Sequence, residues 1–141
     1  MQTYPTVKLT PLTGFANDKR KEGWELLEDE PLVGEPVLTL AEFLRDGEEY
    51  VGGEEMVTRA TALDGTTGQR HAEQLLGQQK DIPEEYRQFA LVFTGTIWRR
   101  PEDSGRRVTC LIWGCGAWYL KFFWLGRAFG RYFRLVRLEL Q

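Results

Sequence analysis

Hydrophobic and polar positions along the chain change period midway. Near the start, Val7 and Leu9 alternate with Lys8 and Thr10, which predicts a short opening strand within residues 3–10. Residues 11–21 read as a loop around Gly14 and Asn17, the one asparagine of the chain. The run GWELLE at 23–28 predicts a second strand, followed by an acidic turn bounded by Pro31 and Pro36. Thr39, with Glu42 three residues on, makes a capping box and predicts a short helix over 41–45 that stops near Asp46-Gly47. After Gly52-Gly53, the residues Met56, Val57, Ala60 and Leu63 recur at helical spacing behind two first-turn glutamates, and Gly65 closes that helix. Residues 67–79 predict another helix, with His71, Ala72, Leu75 and Leu76 on one side, and Pro83 opens the short turn PEEYRQF.

From Phe89 the period falls to two. FALVFTGTIWR is strand-rich and broken by Gly95, and PEDSG is a turn. Strands follow over 107–113 and 117–125 around a GCG turn, then a glycine-punctuated loop over 126–131 and a closing strand over 133–140. Helices precede a run of strands, so the expected class is α+β, with short helices before a C-terminal antiparallel meander and irregular loops. A chain of 141 residues supports one domain, 1–141, with a core of its own.

The stretch from Trp113 to Phe133 organises the rest. Nine of its residues are aromatic, four are glycine, and none is acidic. At period two, Trp118, Leu120, Phe122 and Trp124 share one strand face, which is apolar throughout and reads as core. Tyr119, Lys121 and Phe123 share the other, where a cation between two rings suits a contact surface better than a core. Charge sharpens this division. Residues 1–88 carry 9 Lys/Arg against 18 Asp/Glu, and residues 89–141 carry 9 against 3, so −9 and +6 combine into the formal −3. Either acidic helices pack beside a basic sheet edge, or an acidic scaffold presents a basic, aromatic surface to a partner.

Other chemistries are thinner. His71 and Glu73 followed by Cys110 and Cys115 fall in the order of a zinc deaminase, but the cysteine gap is wide and no proline precedes Cys110. A structural zinc site lacks a fourth ligand, and two cysteines are too few for a disulfide framework. Glutamate pairs such as Glu54/Glu55 point apart on a helix, and no glycine-rich phosphate loop precedes one. Arginines interleaved with aromatics over 118–137 fit single-stranded nucleic acid, a reading that the overall acidity opposes. Residues 108–126 hold one charge, Lys121, but its central position and the glycines favour a hairpin over a membrane span. MQTYPTVKL is not a leader pattern, so the default expectation is a cytoplasmic protein.

The C-terminal third, IPEEYRQFALVFTGTIWR and then RRVTCLIWGCGAWYLKFFWLGRAFGRYFRLVRL, resembles the variable proteins of diversity-generating retroelements. In that family a template repeat is copied with mutation at adenines, and the copy replaces a variable repeat at the 3′ end of the gene. The resemblance implies a variable region within 110–137. Its framework would be Trp113, Trp118, Leu120, Phe122, Trp124, Leu125, Phe129 and Arg134 through Arg137. The exchangeable, ligand-binding positions would be Gly114, Cys115, Ala117, Tyr119, Lys121, Phe123, Gly126, Arg127, Ala128, Gly130, Arg131, Tyr132 and Phe133. All but Lys121 are residue types reachable from an AAC asparagine codon by changing its adenines. The resemblance further implies a C-type lectin-like fold, a non-enzymatic role without cofactor or metal, and a macromolecular ligand, another protein first of all. Calcium is not implied, because the region lacks the paired acids and amides such a site needs.

Overall fold

A computed structural model describes residues 3–10 and 15–139; part of the expected 11–21 loop and the end of the expected 133–140 strand lie outside the described residues. The chain is α+β, with strands β1 (Val7–Lys8), β2 (Glu25–Glu28), β3 (Val37–Ala41) and β4 (Tyr50–Gly52) before two helices. Helices α1 (Gly53–Ala62) and α2 (Gln69–Gly77) follow, and then β5 (Ala90–Arg99), β6 (Arg106–Gly114), β7 (Ala117–Trp124), β8 (Ala128–Gly130) and β9 (Phe133–Leu138). Among the described residues no helix is long and apolar enough to cross a membrane.

The main sheet runs β1-β3-β9-β5-β6-β7, with β2 also on β5, and β4 pairs with β8 as a separate ribbon. The β5-β6-β7 meander is antiparallel as expected, whereas β9 returns parallel to β5. Both faces of the sheet are covered. On one, Ala72 and Leu75 of α2 pack with Tyr86, Phe89, Leu91, Phe93, Leu111 and Trp118. On the other, Met56 and Ala60 of α1 and Phe129 of β8 pack with Val92, Val108, Cys110 and Leu125. Two-sided cover explains why β5 reads almost continuously apolar rather than alternating.

Two expectations are corrected. The helix over 41–45 does not form. Thr39 lies in β3 opposite Arg137, and Leu38 and Leu40 alternate into the core. Four rungs to β9 and two buried leucines outweigh one local cap, because tertiary burial overrides a weak propensity. Gly95 does not end the strand either. Across it the β5–β6 register jumps from Phe93↔Thr109 to Ile97↔Val108, so Thr94, Gly95 and Thr96 bulge out of the ladder. The bulge holds the entry to α2. Gly95 N–H donates to the Thr67 carbonyl at 2.7 Å, Gln69 N–H donates to Thr96 Oγ1 at 2.8 Å, and Trp98 Nε1–H donates to Gln69 Oε1 at 2.7 Å.

Helix α1 starts against the β7–β8 connection, where Gly53 N–H donates to the Arg127 carbonyl at 3.2 Å. A Cβ at Gly53 would overlap the Leu125 backbone, whereas one at Gly52 meets nothing within 4 Å. Gly53→Ala is therefore expected to cost about 1–3 kcal/mol by overpacking. Gly52→Ala should stay within about 1 kcal/mol, the ordinary difference at a helix cap. Urea melts of the two variants check this, and equal costs would refute the close approach.

Candidate binding surface

The β6–β7 hairpin places the candidate residues. Gly114 pairs with Ala117, so the turn is the two residues Cys115-Gly116, and both have positive φ, +51° and +82°. That is the type I′ geometry whose twist matches a hairpin. From this turn β7 runs beside β6 with Ile112↔Tyr119, Cys110↔Lys121 and Val108↔Phe123 in register. Tyr119, Lys121 and Phe123 thus lie on the α1 face, next to a buried row. The α1 and β8 layer covers Val108 and Cys110 but not the far strand, so Tyr119 and Lys121 are exposed and Phe123 is half-buried.

Below Phe123 the row runs into an aromatic cluster. The Arg127 guanidinium lies 4.9 Å from the Phe123 ring centre, 5.3 Å from Phe133 and 5.6 Å from Phe129. Phe133 meets Phe123, Phe129 and Tyr132 edge to face, at 5.9, 4.8 and 6.3 Å. Such contacts fix the guanidinium without a carboxylate. Arg131 and Tyr132 project from the next turn, and the Arg131 side chain lines a 340 Å³ cleft against Glu42–Glu48. Gly114, Ala117 and Gly130 are half-buried, and Gly126 and Ala128 are exposed.

Two sequence-based assignments reverse. Phe133, expected at the contact surface, is 7% exposed and closes the α1-side core. Trp124, expected in the core, is 53% exposed. The layer over its face reaches Trp118, which is buried against Trp113, and then thins. Leu120 and Phe122 are half-buried, the latter under the Trp24 ring at 5.6 Å. At the end of the strand, the Trp124 indole lies across Gly126 and Gly105, so any side chain at 126 displaces it. Tyr50 was missed. It is 64% exposed on β4 opposite Gly130, and its only sequence signal was an aromatic residue among glutamates ahead of a helix.

Part of the charge asymmetry is neutralised inside the fold. Arg99 pairs with Glu25, Arg106 with Glu28 and Glu54, and Arg134 with Glu42. Arg134 also donates to Tyr4 Oη and lies 4.3 Å from the Phe89 ring centre, which marks it as framework. Among the described residues Lys121, Arg127 and Arg131 pair with no carboxylate, and all three are exposed.

The deaminase-like set does not converge. His71 and Glu73 lie on α2, Cys110 is buried in the core beyond the sheet, and Cys115 caps the hairpin. Among the described residues no three His, Cys, Asp or Glu side chains come within metal-binding reach. Glu73 instead accepts from the backbone of Ala16 and Asn17 and from Gln69, and burial pushes the Cys110 thiol up. His71 Nδ1 accepts from Gly68 N–H at 3.0 Å. Compared with protein-family models, curated proteins and solved structures, the chain matches none.

Burial lowers the His71 pKa from 6.5 to about 4, against the opposing pull of Asp29. The unfolded chain therefore takes up the proton first. The stability tied to neutral His71 is complete above its unfolded value, is lost as pH falls from 6.5 towards 4, and changes no further below. His71→Gln should remove up to about 1.4 kcal/mol per pH unit of slope in that window, read from urea midpoints against pH. An unchanged slope would show that His71 is not buried neutral. At the hairpin tip, Cys115 occupies a left-handed conformation that asparagine adopts more readily. Cys115→Asn should raise stability by about 0.5–1 kcal/mol, and a lower melting temperature would contradict the turn assignment.

Proposed function

We propose that this chain is a non-enzymatic ligand-binding protein whose exposed C-terminal surface is diversified by a retroelement, on a C-type lectin-like scaffold, and that its ligand is another protein. One observation carries the reading. Of the thirteen candidate exchangeable positions, Phe133 alone is fully buried, and the others line the hairpin turn, the outer row of β7, and β8 with the two loops around it. Of the framework positions, Trp118, Leu125 and Phe129 are in the core. The scaffold reading draws support from the pairing of an early strand with the closing one, β3 with β9, and from the two helices covering opposite faces. The Cys115 backbone adds a further point, since a left-handed turn residue before glycine is a natural place for a template asparagine.

Exposed Tyr119 and Tyr132 supply aromatic anchors, and Tyr50 extends the same side. Aromatic anchors ringed by polar groups dominate protein interfaces. The unpaired Lys121, Arg127 and Arg131 favour an acidic face on the ligand.

Two measurements test this. The DNA around the gene should hold a reverse transcriptase and a near-copy of codons 110–137 with adenines at the mismatched positions; a locus with neither removes the retroelement from the reading. In an alanine scan, Tyr119, Lys121, Arg131 and Tyr132 should each change stability by no more than about 0.5 kcal/mol. Trp118→Ala and Phe129→Ala should cost about 3–5 kcal/mol. Comparable losses in both groups would mean that the surface is structural and not exchangeable.

A further inference from the structure

We propose that the free edge of β7 takes up an extended acidic segment of the partner protein as an additional strand of the sheet. This rests on the reading above and specifies how the ligand is held. Among the described residues β7 is the terminal strand of the sheet, paired with β6 and no other strand. Its hairpin turn fixes which backbone groups are free. With a two-residue turn, Gly114 and Ala117 form a hydrogen-bonded pair, so Trp118, Leu120 and Phe122 direct N–H and C=O away from β6. Two bonds agree with that parity. Trp118 N–H donates outward to Gln79 Oε1 at 3.0 Å, whereas Leu125 N–H donates inward to the Arg106 carbonyl at 2.9 Å.

Gln79 therefore closes the edge at Trp118. Among the described residues no hydrogen bond engages the outward groups of Leu120 and Phe122. Neither proline nor a bulge interrupts 119–123, so the devices that usually protect an edge are missing, apart from Lys121. That lysine decides the occupant. A second copy of β7 brings another cation and no acid, because no Asp or Glu occurs between Asp103 and Glu139. A strand that places a carboxylate opposite Lys121 meets no such penalty.

The geometry specifies the segment. Partner residues opposite Leu120 and Phe122 make the backbone bonds. The residue between them sits opposite Lys121 in a non-hydrogen-bonded pair, about 4.5 Å away Cα to Cα, with its side chain on the Lys121 face. An Asp or Glu fits there. Residues two positions to either side lie beside Tyr119 and Phe123, where aromatic or β-branched side chains pair best. Main-chain bonds then supply affinity while alternate side chains supply selectivity, the logic of strand addition. This arrangement also suits a diversified surface, since the backbone contribution survives any substitution at 119, 121 or 123.

The probe is the acetylated, amidated peptide TVFTETFVT, which carries Glu at its centre and Phe two positions away on each side. It is titrated against the whole protein by anisotropy, with amide hydrogen exchange followed residue by residue. Binding should slow exchange at Leu120 and Phe122 at least tenfold, and N-methylation of the two threonines flanking the glutamate should weaken binding at least tenfold. Lys121→Glu should weaken it similarly, and a peptide with lysine in place of that glutamate should restore it. Binding that leaves Leu120 and Phe122 unprotected overturns strand addition while leaving the diversified-surface reading intact. No binding at 1 mM peptide, on the order of the weakest recognition contacts, overturns it as well. Self-association of the protein alone, with those two amides protected, assigns the edge to a second copy and refutes the proposal. The diversified-surface reading itself fails separately, through the gene locus and the alanine scan.

Discussion

Strand β5 is the constraint on which the rest depends. It is buried on both faces, pairs with β6 along one edge, and shares its other edge between β9 and then β2. A strand so enclosed must satisfy every backbone group internally, since an unpaired buried amide costs about 1–3 kcal/mol. Its three-residue bulge is the one place where the ladder cannot do so. There the segment ahead of α2 takes over, with Thr67 accepting from Gly95, Thr96 accepting from Gln69, and Gln69 reaching Trp98. The irregularity in the strand and the position of the helix are one solution to one hydrogen-bonding problem.

Covering layers centred on β5 thin with distance from it, and β7 lies two strands away at the margin. Its burial is graded along its length for this reason. Trp118 is held under the α2 side, Phe122 is half-covered by Trp24, and Trp124 lies bare across two glycines. On the opposite face the gradient runs the other way, from exposed Tyr119 to Phe123 packed against Phe133. A surface made from the margin of a rigid sheet is firmly positioned, while the side chains it displays carry little of the fold. Those are the physical requirements for a site that accepts different residues.

Much of this was legible in the chain, and the failures have a common cause. Both long helices, the hairpin with its GCG turn and the closing strand follow from local period and punctuation, which sequence carries directly. The helix over 41–45 fails because Leu38 and Leu40 answer to Leu138 and Val136 of β9, far along the chain, and not to Thr39. Gly95 reads as a break in the sequence because a bulge and a strand end look alike when the partner strand is unseen. Trp124 and Phe133 exchange roles because period two gives the face of a residue and not how far the cover extends over that face. Phe133 also begins a central strand, β9, which places it beside Phe129 in the core.

Charge gives the same lesson in another form. The excess of acids before residue 88 and of bases after it suggested a basic face, yet Arg99, Arg106 and Arg134 spend their charge on glutamates of the first half. Exposed pairs of this kind contribute little to stability, about 0–1 kcal/mol each. Their consequence is selective neutralisation: the bases of β5 and β6 and Arg134 of β9 are matched, Arg137 of β9 donates to the Leu63 carbonyl, and among the described residues Lys121, Arg127 and Arg131 pair with no carboxylate. Lys121 lies beside Tyr119 on the marginal strand β7 and Arg127 lies over Phe123 near its end, whereas Arg131 stands apart in the cleft against Glu42–Glu48. Arg127 is held by the rings and by a bond to the Ala128 carbonyl, with no carboxylate to neutralise it. Net charge could not have located this patch, because it arises from which ion pairs the fold makes and which it omits.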